Sequence, residues 1–279
     1  RRRRGGTNNK AVPQSHRHSK DALRQMGRNK GNHTMKTTLT TILILALATT
    51  LSTFAALSPT DPDKLKSDGQ FAEALEGYKT RLLEEKSAQQ PYRDVQNAIN
   101  CLERLGRVDE IDSFREQAVE TYPQDCELLH AVAESYMNVQ HYGFIIAGEF
   151  ERGSHRGGTG KPVNAFERDR VRAIQLMLRA VEMAEKQEKP GYLRSSYWLR
   201  LANFLLSNRG YSEAWRLQYL SDLTTLPDFE DGHYYYGRSN TGAPVDEDGN
   251  PILHHIPESW EAAKTDGERW RWCLENAVK

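Results

Sequence analysis

The chain has 279 residues, with 38 Lys and Arg against 38 Asp and Glu, a length that suits one or two domains. The neutral total hides an uneven spread: residues 1–36 hold 11 of the bases and a single acid, Asp21, leaving 27 bases against 37 acids in the remainder. An acidic body of this kind argues against a nucleic-acid partner, and three scattered cysteines without a Cys-x-x-Cys spacing give no support to a zinc ribbon or a thioredoxin-like redox motif.

Residues 1–34, opening on Arg1 to Arg4, have the composition of a disordered basic tail. Met35 and Lys36 then lead into an uncharged run from Thr37 to Leu57, densest from Ile42 to Ala48, with small residues at Thr53 and Ala55. That order predicts a secretory signal peptide over 35–55, with Met35 as the start and residues 1–34 as upstream sequence. The rival is a basic nucleic-acid arm followed by a membrane anchor, which flanking Arg and Lys would also orient. Thr49, Thr50, Ser52 and Thr53 interrupt the run and favour removal over anchoring, and no Cys follows to carry a lipid. The expected location is therefore exported, periplasmic or extracellular at a bacterial envelope, with membrane contact only through an uncleaved signal. Export permits a Cys101 to Cys126 bridge with Cys273 left over; the other reading is three buried helical thiols.

Residues 56–226 carry a helical repeat. After the short linker Pro59 to Asp63, the spacing of Gly69, Phe71, Ala74, Tyr78 and Leu82 predicts the second helix of a degenerate first copy. Two further copies are offset by 34 residues: Ala98, Ile99, Leu102, Val108 and Ile111, then Val132, Ala133, Tyr136, Tyr142 and Ile145. This is the tetratricopeptide period, with a turn at Gly106 and an end at Pro123 in the earlier of the two. Each helical hairpin has too little apolar surface to stand alone, so the copies are expected to stack around one continuous core. The later copy does not finish normally, because Glu149 to Pro162 is dense in Gly, Arg and His. Helix is expected to resume from Asn164 as N-cap and to carry the stripe Val171, Ile174, Met177, Val181 and Ala184 to about Lys186. Pro190 and Gly191 break it, and Trp198, Leu201, Ala202 and Leu205, then Tyr211 and Ala214, stand at the spacings of a last helical pair.

Residues 227–279 differ in composition. Tyr234 to Gly237 precede a segment from Ala243 to Ile252 whose Asp248-Gly249 turn predicts a small hairpin. Pro257 and Ser259 are expected to introduce helix, and a stronger pattern runs from Asp266 through Trp270, Leu274 and Ala277 to an end without a stop signal, as in a truncated helix. The aromatic residues here, Trp260, Trp270 and Trp272 with Tyr234 to Tyr236, are expected to seal the end of the stack. The fold predicted for the whole is all-α: a tetratricopeptide-like superhelix with a Gly/Arg/His-rich loop insertion and a small β-hairpin near the C-terminus.

Four residues of the loop, Arg152, His155, Arg156 and Lys161, are candidates for a contact with an anionic group in an otherwise acidic chain. The same stretch fails as a phosphate-binding loop, with His155 where the first glycine belongs and Pro162 in place of the magnesium-binding Ser or Thr. Glu134-Ser135 is similar to the catalytic pair of lytic transglycosylases, but the downstream Gly-Leu-Met-Gln type segment is missing and a solvated helix-face carboxylate is the simpler account. His233, His254 and His255 with Asp246 and Asp248 make a poor metal set, since adjacent strand histidines point to opposite faces. No cofactor is expected.

Two segments carry a resemblance. The first runs from His141-Tyr-Gly-Phe-Ile-Ile-Ala-Gly-Glu-Phe150 through Arg152, His155-Arg-Gly-Gly158 and Phe166-Glu-Arg-Asp-Arg-Val171. The second runs from Gly242-Ala-Pro-Val-Asp-Glu-Asp-Gly-Asn-Pro251 through His254-His-Ile-Pro-Glu-Ser-Trp260 to Asp266-Gly-Glu-Arg-Trp270. Together they resemble the N-terminal repeat region of large exported bacterial proteins of the alpha-2-macroglobulin type. The resemblance implies the opening scaffold of a protease-trapping molecule, without the bait region or the Cys-Gly-Glu-Gln thioester, since none of the three cysteines lies in such a motif. The expected function is a non-enzymatic scaffold for contacts with protein partners. A free-standing periplasmic repeat adaptor is the alternative, and a cell-wall lytic enzyme the weaker one.

Overall fold

A computed structural model describes residues 61–158, 160–206, 210–232 and 244–279, all within one compact unit spanning Ser58–Lys279. The basic tail, the signal-peptide segment, His233 and Tyr234 to Tyr236 lie outside the described residues.

The chain enters through α1 (Pro62–Ser67), with Pro62 in the first turn where a missing N–H costs nothing, and α2 (Phe71–Lys79), which runs on through one π turn, Thr80–Glu84. Tyr78 on α2 donates to Asp63 at 2.7 Å and ties the two together. Then follow α3 (Pro91–Leu105), α4 (Ile111–Thr121) and α5 (Cys126–Asn138). Gly106 closes α3 in the left-handed conformation, φ 71°, and Asp125 caps α5 by accepting from the Glu127 and Leu128 amides at 3.0 Å. Ala98, Ile99 and Leu102 on α3 and Val132, Ala133 and Tyr136 on α5, the residues 34 apart in the sequence, are all buried, and α3 packs against α5.

Beyond α5 the all-α expectation fails. Tyr142 and Ile145, placed in the helical phase by the repeat, lie on β1 (Tyr142–Ile146), which pairs with β2 (Glu149–Arg152). The run Tyr-Gly-Phe-Ile-Ile is poor in helix formers and rich in strand formers, and Ala147 and Gly148, at φ 52° and 92°, make the two-residue turn that suits a tight hairpin. With β3 (Lys161–Asn164) and β4 (Glu230–Asp231) they form an antiparallel sheet in the order β2-β1-β3-β4. Gly143 is required by a close approach, because a Cβ there would stand 2.3 Å from the Glu151 carbonyl oxygen and 2.5 Å from the Phe150 ring. Gly143→Ala should therefore push β1 away from β2 at a cost of about 1–3 kcal/mol. A thermal melt with an unchanged midpoint would show that the strands absorb the methyl.

The sheet is an insertion rather than a replacement. Helix resumes as α6 (Phe166–Lys186) with Ala165 at the N-cap position expected for Asn164; Asn164 instead ends β3, where its Oδ1 accepts from the Phe166 amide at 2.8 Å, and α6 packs on α5 more extensively than any other pair of elements meet. All five residues of its expected stripe are buried. α7 (Gly191–Leu206) follows, burying Leu201, Ala202 and Leu205, but its expected partner is reduced to a 3-10 turn over Tyr211–Arg216, with Tyr211 exposed. The face of α7 is covered instead by α8 (Asp266–Ala277), far along the chain. Thr265 caps α8 by accepting from the Glu268 amide. The hairpin near the C-terminus is present as a single antiparallel bridge, Val245 to Pro251, around a turn in which Asp246 accepts from the Asp248 and Asn250 amides. The helix expected from Pro257 and Ser259 is a turn only; the Ser259 hydroxyl accepts from the Ala262 amide at 3.2 Å. The described chain is thus helix-rich with one small antiparallel sheet. Among the described residues no helix is long and apolar enough to cross a membrane.

Candidate contact site at the inserted sheet

An aromatic-sided cleft of about 370 Å³ opens where the sheet meets the helices, floored by ionised side chains from α4, β2 and α6. Its chemistry begins with Arg152, the last residue of β2, whose side chain is 2 % exposed. The guanidinium donates to both oxygens of Asp169 on α6 at 2.8 Å and to both oxygens of Asp112 on α4 at 3.0 Å, and also to the Gln140 carbonyl at 2.5 Å. His141 Nδ1 lies 2.8 Å from Asp169, so one carboxylate gathers the residue before β1, the end of β2 and the start of α6. Arg115 is fully buried beside Asp112 and stands 3.2 Å above the Tyr136 ring, a cation–π contact that accommodates guanidinium atoms lacking a hydrogen bond. Glu116 accepts from Arg172 at 2.9 and 2.5 Å and from the Tyr136 hydroxyl.

These contacts decide the charge states. Burial by itself would raise Asp169, but the hydrogen bonds from His141 and Arg152 and the Arg152 and Arg115 charges hold its carboxyl below the ordinary value of 3.8. Glu116 is likewise raised by burial and brought below its ordinary 4.5 by Arg172 and Tyr136. The carboxylates are thus fixed as anions, suited to binding cations and positioning strands rather than to giving up a proton.

Above this floor, Phe150 of β2 stacks on Phe229 with ring centroids 4.6 Å apart and planes 24° apart, and Leu226 and Tyr136 complete the apolar lining. Arg168 lies over the Phe229 ring, 4.8 Å from its centroid, and donates from Nη1 to the Pro227 carbonyl at 2.9 Å.

The four loop candidates are separated by the structure. Arg152 is no surface contact; it is the buried bolt of the sheet. His155 turns back toward Glu151 at 3.4 Å and toward the Phe144 ring, and Lys161 pairs with Asp231, joining β3 to β4. Arg156 alone of the four is exposed without an ion pair among the described residues. Arg156→Ala should accordingly leave stability within about 0.5 kcal/mol, whereas Arg152→Ala should lower the melting temperature sharply. Equal midpoints for the two variants would contradict the assignment. Lys161 opens a strand, where a phosphate-binding loop requires a helix, and Gly160 packs on Phe144 and Ile146, so the loop folds onto the sheet.

The other candidates are also placed. Glu134 is raised by burial but lowered overall by the His130 hydrogen bond and the Arg200 and His130 charges, the reverse of a general acid. His254 bonds the Ala214 carbonyl at 2.9 Å and Thr265 at 3.3 Å and lies over Gly267, where a Cβ would meet the ring at 2.1 Å; it is a packing residue. Among the described residues no group of three or more His, Cys, Asp or Glu is arranged to hold a metal ion. Cys101, Cys126 and Cys273 are buried free thiols, so the Cys101 to Cys126 bridge is not formed, and burial raises all three.

Asp112 and Phe229 drew no notice in the sequence, and Phe150, Arg168 and Asp169 stood in the first resembling segment without a role of their own. One signal was there: Asp169 and Arg170 fall in the phase of Phe166, Ala173, Ile174 and Met177, and charged residues inside an apolar stripe mark buried ion pairs. No protein family, curated protein or solved structure matches the chain.

Proposed function

We propose that this chain is a non-enzymatic, exported scaffold of helical-repeat type that makes protein–protein contacts, forming the amino-terminal part of an alpha-2-macroglobulin-like protease-trapping protein. The observation that carries this reading is what the two resembling segments do. The first supplies His141, Arg152 and Asp169, which bolt the inserted sheet to α4 and α6. The second supplies His254, Asp266 and Gly267, which fasten the C-terminal segment onto α6 through Arg170 and onto the 3-10 turn and the residue after it through the Ala214 and Leu217 carbonyls. Long motifs spent on holding a platform together fit a scaffold better than a reaction. Carboxylates fixed as anions by arginines support the same reading, as does the stacking of α3 on α5 at the 34-residue register.

The test is the size and start of the natural product. In the cell that makes it, peptides from residues 61–279 should be recovered from the envelope or medium in a chain far larger than this one, whose amino terminus follows Ala55. A cytoplasmic product would end the export reading. An exported product no larger than this chain would replace the macroglobulin assignment with the free-standing adaptor.

A further inference from the structure

We infer that the cleft beside β2 binds the C-terminal residue of a polypeptide, taking its apolar side chain against the Phe150 and Phe229 rings and its terminal carboxylate on Arg168. Among the cations lining the cleft, Arg152 and Arg172 are each committed to carboxylates, at 2.8 and 2.5 Å. Arg168 has no carboxylate partner among the described residues, and its single hydrogen bond uses Nη1 on the Pro227 carbonyl. Its Nε and Nη2 edge therefore remains for a carboxylate, in the fork geometry that guanidinium groups favour.

Position selects the ligand further. The guanidinium sits 4.8 Å from the Phe229 centroid, and the Phe150 centroid is 4.6 Å from that of Phe229, so charge and apolar contact must be met within the span of one residue. An internal acid beside an apolar residue serves poorly, because neighbouring side chains on an extended chain point to opposite sides. A C-terminal residue carries both groups on one Cα. A free amino acid would bring an ammonium as well, and Asp112, Glu116 and Asp169, the acids that line the cleft, are already held by arginines. A volume of about 370 Å³ accommodates one large residue and leaves the preceding chain to exit along the surface. This deepens the contact reading and rests on it for the natural partner only, since the peptide experiment does not depend on the size of the natural product.

The test uses the purified chain and N-acetyl-Ala-Ala-Phe with a free carboxylate, compared with its carboxamide and with free phenylalanine, by NMR titration. The acid is expected to bind, with the amide and the free amino acid each about tenfold weaker or more. Contacts from the peptide ring should appear at Leu226 and Phe229, an assignment made on the unmodified protein. Arg168→Gln and Phe229→Ala should each weaken the acid by about tenfold or more, with melting curves recorded to show that they fold. Equal affinity for acid and amide, equal affinity for free phenylalanine, ring contacts elsewhere, or no binding at millimolar peptide would each overturn the inference.

Discussion

Asp169→Ala should cost about 3–5 kcal/mol, because it removes the shared anion from a buried group of cations without removing the cations. Arg152, 2 % exposed, would keep only Asp112 and the Gln140 carbonyl, and Arg115, fully buried, would lose a carboxylate 3.7 Å away. The damage should be local first, with the amides of β1 and β3 exchanging faster than those of α3. Chemical denaturation gives the size of the loss and hydrogen exchange its place. A loss below about 1 kcal/mol would mean that water or Asp112 takes over the charge. Acid should act on the same residues. Asp169 and Glu116 are depressed in the folded state, so their contribution is complete above the ordinary carboxylate values of 3.8 and 4.5 and disappears as the pH falls through the depressed ones. Stability measured downward from pH 7 should hold to about pH 5 and then fall, and the fall should be shallower in the Asp169 variant.

The second large effect is expected at the other end of the molecule. Arg170 on α6 and Asp266 at the start of α8 meet at 2.9 Å with both side chains 0 % exposed. Asp266 also accepts from the Ser221 amide at 3.0 Å, the Ser221 hydroxyl at 2.5 Å and Arg269 at 3.1 Å, so the carboxylate is surrounded by donors. Asp266→Asn keeps the shape but takes away the charge and turns one acceptor into a donor facing donors. About 3–5 kcal/mol is expected for it, since Arg170 would be left with Glu167 at 3.5 Å as its remaining carboxylate. The paired change Arg170→Met with Asp266→Leu should recover much of the loss, because it removes both charges together. If the double variant is no better than Asp266→Asn, the hydrogen bonds to Ser221 matter more than the ion pair.

The sequence disclosed helices better than it disclosed what joins them. α3, α5, α6 and α8 were readable because each buries an apolar stripe with a local period, and the signals of Gly106, Asp125 and Asn164 act within a turn. The sheet was hidden because Tyr142 and Ile145 fit the helical phase as well as a strand; only five residues long, β1 is too short for period to decide. The Tyr211 helix failed for the converse reason, since its spacing was right but α8 had taken the face it would cover. The cleft was least legible of all. Its walls come from α4, α5, β2, α6 and the segment around Phe229, and nothing local in sequence relates Phe150 to Phe229.

The return of α8 to α7 sets an order of events. During synthesis α7 can dock on α6 as it emerges, but the face it shares with α8 is covered only when the segment after Asp266 has left the ribosome. Closing so long a loop is slow compared with the neighbour-to-neighbour docking of α3, α5 and α6, so the last step of folding should be the seating of this helix.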